Sequence, residues 1–294
     1  MAPVLDQSLL LPFELWYEDF APQYPTIRIS NDHASATITL HGAQVIDYIP
    51  RDQEPVIFTS REAIFKEGKA IRGGIPVCWP WFGAHPSDDS KPSHGFARNQ
   101  FWNLISSHRS DAGTEVVLEL DTSADSLCPS PCKLRLQIRV GKKLELSLTS
   151  TNAGGSPMTI GGALHSYFTV GAIEQTTLTG LEDTHFLNKV DNTEDTQQGA
   201  INFDSEIDNI YTDTCSKVKV HDPILKRVIT VEKVGSHSTV IWNPWSDNSL
   251  PDLADFEFNE FVCIEAANAL DDVYHLQPGE SHTLATTIHS TPLS

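Results

Sequence analysis

Basic residues are scarce: 20 Lys and Arg stand against 39 Asp and Glu in 294 residues, a formal net charge of −19 with histidine neutral. A nucleic-acid backbone or an anionic membrane surface needs a surplus of cations, so neither is expected as a partner. A small anion remains possible, because two or three well-placed cations suffice to hold it. Long hydrophobic runs are also missing, and none approaches the ~18 residues of a membrane-spanning helix. Residues 1–11 include apolar side chains but neither a basic start nor a small-residue cleavage site, which speaks against a secretory signal. Cysteine is sparse and odd in number: Cys78, Cys128, Cys132, Cys215 and Cys263. Their spacing gives no disulfide framework, and C-P-S-P-C lacks the second pair that a zinc site needs. Structural thiols in a reducing, cytoplasmic compartment are expected. Helical periodicity is nearly absent, with one short turn expected at 60–67.

What the chain does have is alternation. Leu134, Leu136, Ile138 and Val140 interleave with Lys133, Arg135, Gln137 and Arg139. After Gly141 and Lys142 the alternation resumes with Leu144, Leu146 and Leu148, which predicts a β-hairpin with one face on a core. Shorter strands are expected at 26–30, 36–40, 115–120, 228–232, 240–242, 261–265 and 283–288. Gly/Pro-rich clusters such as 152–157 punctuate them. With hydrophobic residues at 39 % and charged residues at 20 %, a single all-β domain over 1–294 is expected, a large antiparallel sandwich with few short helices. The acidic stretches 182–195 and 247–260 read as solvated loops, and the Lys133/Arg135/Arg139 stripe as an exposed strand face.

Four segments do not fit plain sheet surface. Residues 71–83 (I-R-G-G-I-P-V-C-W-P-W-F-G) hold two prolines and three glycines among two Trp and a Phe, which no regular central strand accommodates. They form either a packed loop or a pocket wall around Arg72. S-H-G-F-A-R at 93–98 places His94 and Arg98 four residues apart around a glycine, a spacing suited to clamping an anion or a hydroxyl. In G-G-A-L-H-S-Y-F, His165 sits inside an apolar strand, where a buried imidazole needs a partner. In F-V-C-I-E-A-A-N, Glu265 closes an apolar run, a costly place for a carboxylate unless it is paired or functional. A structural hydrogen bond or ion pair is the alternative for each. There is no G-x-S-x-G elbow, no phosphate-binding P-loop and no H-E-x-x-H. A histidine acid and a carboxylate base, His165 and Glu265, with Arg72 and Arg98 as anion holders, is the pairing that remains.

Taken in order, I-R-G-G-I-P with W-P-W-F-G, H-G-F-A-R, H-S-Y-F, E-I-D-N-I-Y, and V-I-W-N-P-W followed by C-I-E resemble the hexose-6-phosphate mutarotases, the glucose-6-phosphate 1-epimerase branch of the aldose 1-epimerase (galactose mutarotase-like) superfamily. The resemblance runs from about Thr26 to the C-terminus. It implies a β-supersandwich, His165 as general acid and Glu265 as base. It also implies Arg72, Arg98 and Asp208 as holders of phosphate and sugar, and His94 as a second hydrogen-bonder. Ser93 stands where relatives often carry Gln, and Ala266-Ala267-Asn268 follow Glu265 where many have Pro or Gly.

The chemistry so implied interconverts the α and β anomers of a hexose 6-phosphate, most simply glucose 6-phosphate, as an isomerase without metal or organic cofactor. His165 as imidazolium would protonate the ring oxygen O5 while Glu265 takes the proton of O1. Their ordinary pKa values, about 6.5 and 4.3, match those charge states near neutrality. Trp79, Trp81, Phe96 or Trp242 would wall the sugar's C–H face. The partner is then a small sugar phosphate, and the chain a monomer or weak oligomer. A mutarotase for unphosphorylated aldoses and a non-catalytic sugar-phosphate binder are the rival readings.

Overall fold

The computed structural model describes the chain apart from Met1, Ala2, Val4, Ala124, Ser126, Pro129, Asp247, Asn248 and Ser294. Among the described residues the structure is all-β, and its helical content is four 3₁₀ turns of three or four residues. The hairpin expected from alternation is there as Cys132–Val140 paired with Leu144–Asn152. Apolar residues of both strands are buried and the charged ones between them are not. These strands sit in a nine-stranded sheet ordered 201–202, 177–179, 218–222, 227–234, 281–292, 144–152, 132–140, 113–121, 103–110. Arg135 and Arg139 pair with Glu119, Glu115 and Glu145, so the basic stripe is an ordinary exposed strand face. Among the described residues no helix is long and apolar enough to cross a membrane. All five cysteines are free thiols.

A second sheet has seven strands, ordered Thr193–Thr196, His185–Asn188, Ile207–Tyr211, Ser238–Asn243, Phe261–Asn268, Gly162–Thr169 and Val77–Cys78. Every pairing among these strands is antiparallel. Its central strands are buried on both faces. Leu164, Phe168, Val262, Ile264, Ala266 and Ile241 belong to one apolar core with Leu146, Leu148, Leu284 and Ile288 of the larger sheet. Because side chains alternate along a strand, residues 165, 167, 263 and 265 point to the opposite face. Sheet register then sets them in rows. Glu265 lies across from His165 on one side and Val240 on the other, while Cys263 lies between Tyr167 and Trp242, with Asp208 next beyond Trp242.

Two sequence-based expectations are corrected here. Residues 60–67 form turns rather than a helical turn; the side chain of Glu257 takes the Ser60 hydroxyl and the Arg61 amide instead. The stretch 182–195 is no loop, for His185–Asn188 and Thr193–Thr196 pair as a hairpin at the sheet edge. Thr193–Thr196 is polar and largely exposed, and the partly buried Phe186 and Leu187 are adjacent, so no apolar alternation marks the hairpin.

Candidate active site

His165 and Glu265 face each other across adjacent strands, with His165 Nε2 3.2 Å from Glu265 Oε1. Only 10 % of the imidazole and 1 % of the carboxyl side chain are exposed. Nδ1 of His165 and Oε2 of Glu265 have no hydrogen-bond partner in another described residue. Buried polar atoms are normally paired, so each offers a position to a bound polar molecule. The Tyr167 ring stacks on the imidazole, with centroids 4.9 Å apart and 14° between the planes. Trp242 and His94 meet it edge-on, each at 6.0 Å.

Burial decides the charge states. It holds the His165 imidazole well below its usual pKa, aided by His94, Arg98 and Arg72. It pushes the Glu265 carboxyl well above the usual carboxylate range, aided by the charge of Asp208 and opposed by Arg98. Low polarity around the pair disfavours separated charges, which works against the imidazolium and carboxylate expected from their ordinary pKa values. Both shifts act in the same sense, toward imidazole beside carboxylic acid.

The loops supply the cations. Arg72 opens the R-G-G turn, in which Gly73 has φ 109° and an added Cβ would lie 2.4 Å from the Thr59 Cα. Only glycine allows the two segments to run that close. Arg72 Nε and Nη2 both lie 3.1 Å from Oδ1 of Asp252, and Nη1 donates to the Tyr167 hydroxyl at 3.1 Å. Burial works against its charge, but Tyr167 and Asp252 outweigh it and raise the guanidinium pKa. Asp252 lies in the stretch 247–260 read as a solvated loop, and Asp247 of that stretch lies outside the described residues. Asp252 is paired instead, and Glu257 of the same stretch is fully buried.

His94 and Gly95 form the other wall. Gly95 has φ 70°, and a Cβ there would sit 1.9 Å from the Trp79 carbonyl oxygen. The His94 amide donates to Gly83 O at 2.7 Å, and Nδ1 accepts from the Gly83 amide at 3.3 Å. An accepting Nδ1 places the ring proton on Nε2. Burial first, then Arg98 and Arg72, take the His94 pKa down to about 3, so it is a neutral hydrogen-bonder. Arg98 Nη2 donates to the Ser93 carbonyl at 2.9 Å, and its buried Nε has no hydrogen-bond partner among the described residues. The charge of Arg98 reaches His94, His165, Glu265 and Cys78.

Asp208 is half-buried beside Trp242 on the same sheet face. Its carboxyl is shifted upward, by burial first, with Lys189 opposing and Glu206 adding to the rise. All six residues singled out from the sequence thus meet on or beside one sheet face. Of the candidate aromatic walls, Trp79, Trp81 and Phe96 belong to the core, while Trp242 is half-buried against His165 and Tyr167. Sequence reasoning missed Tyr167 and Asp252. Tyr167 was within reach, two residues from His165 on the same strand and therefore on the same face. Nothing in the pattern around Asp252 marks it. Among the described residues no group of three or more His, Cys, Asp or Glu is placed to hold a metal ion.

The chain resembles known proteins over nearly its whole length. The family model for aldose 1-epimerase matches residues 25–289. A protein from Cenchrus ciliaris named "Putative glucose-6-phosphate 1-epimerase" is 35 % identical over 274 residues, covering 88 % of this chain and 82 % of its own. One of the same name from Escherichia coli is 34 % identical over 249 residues, with 83 % of each chain covered. The crystal structure of a protein from Salmonella typhimurium, described as a putative mutarotase, superposes with a TM-score of 0.90 at 31 % identity. That superposition covers 99 % of this chain and 97 % of the other.

Proposed function

The chain belongs to the aldose 1-epimerase family, and from that premise we propose that it interconverts the α and β anomers of a hexose 6-phosphate, most simply glucose 6-phosphate. One observation carries the catalytic part: a buried imidazole and carboxyl 3.2 Å apart, each with an unpartnered polar atom. Ring opening must move a proton from O1 to O5, and reclosure on the other face of C1 must return it. His165 as imidazolium gives its proton to O5 while the Glu265 carboxylate takes the proton of O1, and the C1–O5 bond breaks. That leaves imidazole and carboxylic acid around an open-chain aldehyde. C1 then rotates, Glu265 returns its proton to O1, His165 removes the one on O5, and the ring closes. No proton is gained or lost over the cycle.

The environment favours the middle of this cycle. Burial stabilises the uncharged pair, which is the proton arrangement of the ring-open state. Charging His165 for the first step is helped by the substrate itself. Arg98 and Arg72 both hold the His165 pKa down, and a phosphate bound to them offsets their charge. In this reading His94, through Nε2–H, and Asp208 are the sugar hydrogen-bonders, and Trp242 is the apolar wall.

The phosphate part rests on Arg72 and Arg98 flanking the pair, since charge-assisted bonds to a phosphate are roughly twice as strong as neutral ones. Exchange NMR between the anomers of glucose 6-phosphate and of free glucose tests the proposal directly. Acceleration of the phosphorylated sugar well beyond the free one is expected. Faster exchange of free glucose would favour a mutarotase for unphosphorylated aldoses, and binding without exchange would favour a silent binder. Arg98→Ala should raise KM for glucose 6-phosphate far more than for glucose; equal effects would place the phosphate elsewhere.

A further inference from the structure

Arg72 is not a free cation waiting for an anion. Its side edge, Nε and Nη2, is taken by one oxygen of Asp252, and Nη1 donates to Tyr167. A guanidinium has five N–H donors in a fixed fork. Nε and Nη1 each donate a hydrogen bond and Nη2 lies in ion-pair contact with the same Asp252 oxygen, so the donors that remain are on Nη1 and Nη2, at the end of the fork. Both side chains of the ion pair are mostly buried, Arg72 at 22 % and Asp252 at 17 % exposure.

The groups that hold Arg72 are themselves held. Leu253, next to Asp252, packs in one apolar cluster with Phe58, Tyr167 and Phe261. The Glu257 carboxylate accepts from the Ser60 hydroxyl and from the amides of Arg61 and Ala254, the latter two at 2.9 Å. The Ser60 amide in turn donates to the Arg72 carbonyl at 3.1 Å. Asp252 and Arg72 therefore belong to segments fastened to each other through the buried Glu257. Tyr167 adds the link to chemistry, because the ring whose hydroxyl accepts from Arg72 stacks on the His165 imidazole.

We propose, on the premise that the substrate is a hexose 6-phosphate, that Asp252 is a positioning residue that determines specificity: it pins the side edge of Arg72 so that the end of the fork faces the phosphate. Without it a long side chain with freely rotating bonds would have to be ordered by each arriving substrate, at a cost in rotamer entropy. A cation merely present would attract any anion. A cation held along one edge reads the position of the phosphate relative to the sugar ring, and so the register of C1 against His165 and Glu265. Tyr167 serves the same guanidinium from its other side.

Asp252→Ala should raise KM for glucose 6-phosphate about tenfold with a much smaller change in kcat, as expected when a charge-assisted contact is misplaced rather than removed. Constants for free glucose should move little. Asp252→Asn, which keeps an acceptor oxygen, should recover part of the loss. Tyr167→Phe should act in the same direction, and combined with Asp252→Ala should add less than its separate effect, since both hold one group. An unchanged or lowered KM in Asp252→Ala would overturn the proposal, the lowered value showing that Asp252 competes with phosphate for Arg72. Inorganic phosphate titrated calorimetrically into wild type and both Asp252 variants separates this outcome from failure of the functional reading. Weaker phosphate binding in the variants of a protein that does not turn over sugar phosphates keeps the role of Asp252 and removes the activity. Turnover by wild type with equal phosphate binding in all three proteins does the reverse.

Discussion

At the scale of single residues, the site is built from groups whose charge the protein has altered. Glu265→Gln puts a neutral group of the same shape where burial already disfavours a charge, so the fold should hold. Anomerisation should fall by ~10²–10⁴, the usual worth of a positioned acid or base. Coupling to a β-specific dehydrogenase measures the rate, and a thermal melt checks the fold; full activity would sink the catalytic assignment. Since the proposed cycle keeps one proton on the pair, the pH–rate profile should be bell-shaped, with limbs that belong to the pair rather than to either residue. The acid limb, where His165 and Glu265 both become protonated, should lie below the ordinary histidine value. The alkaline limb, where the shared proton is lost, should lie above the ordinary carboxylate value.

His94 carries a linked prediction about stability. Its folded pKa of about 3 lies below the ordinary 6.5. Between those values the unfolded chain binds more protons, so stability rises with pH there. The contribution of neutral His94 is fully present above about pH 6.5 and is lost as pH falls toward its folded value. Urea unfolding at pH 7.5 and pH 5 should show His94→Gln losing less stability on acidification than wild type. An equal loss in both would refute the assignment of a neutral, buried His94.

At the scale of elements, the strand Phe261–Asn268 shows how one segment serves two purposes. Ile264 points into the core between the sheets and Glu265 into the site. Ile264→Ala should cost ~2–5 kcal/mol of stability while the folded fraction keeps its turnover, the opposite of Glu265→Gln. A denaturation curve and an active-fraction assay on the two variants check this split. The turn at Gly95 is the other sensitive element. Gly95→Ala forces a methyl against the Trp79 carbonyl at a positive φ, where alanine is strained. It should lower the melting temperature and displace His94, so KM should rise along with the loss of stability.

At the scale of the whole molecule, a charge of −19 sets the far field and the pocket sets the near one. Screening confines the global field to a Debye length of ~8 Å at physiological salt. A contacting Arg and phosphate attract by about 4 kcal/mol per unit-charge pair at an effective dielectric near 20. A small anion can therefore be held on a protein that repels polyanions. Fluorescence anisotropy of a labelled DNA duplex should show no binding by micromolar protein at ~0.1 M salt, where cation-rich binders are retained. Binding there would reveal a basic surface that outweighs the net charge.

The sequence by itself determined the all-β architecture, because a period of two needs no knowledge of partners: Leu134 to Val140 and Leu144 to Leu148 can bury one face only as strands. It also determined His165, Glu265, Arg72, Arg98 and His94 as candidates, since polar groups inside apolar runs and glycine-rich turns are locally anomalous, whereas Asp208 entered only through the family resemblance. The hairpin in 182–195 escaped notice because its edge strand, Thr193–Thr196, is polar and wet, and the apolar Phe186 and Leu187 of its partner are adjacent rather than alternating. Only the tertiary structure decided what the candidates became. Cross-strand register set His165 against Glu265, and burial between packed loops and sheet shifted their pKa values in opposite directions. The pairing of Arg72 with Asp252 joins residues 180 apart in the chain. Burial and long-range pairing are properties of the folded whole, and no local pattern encodes either.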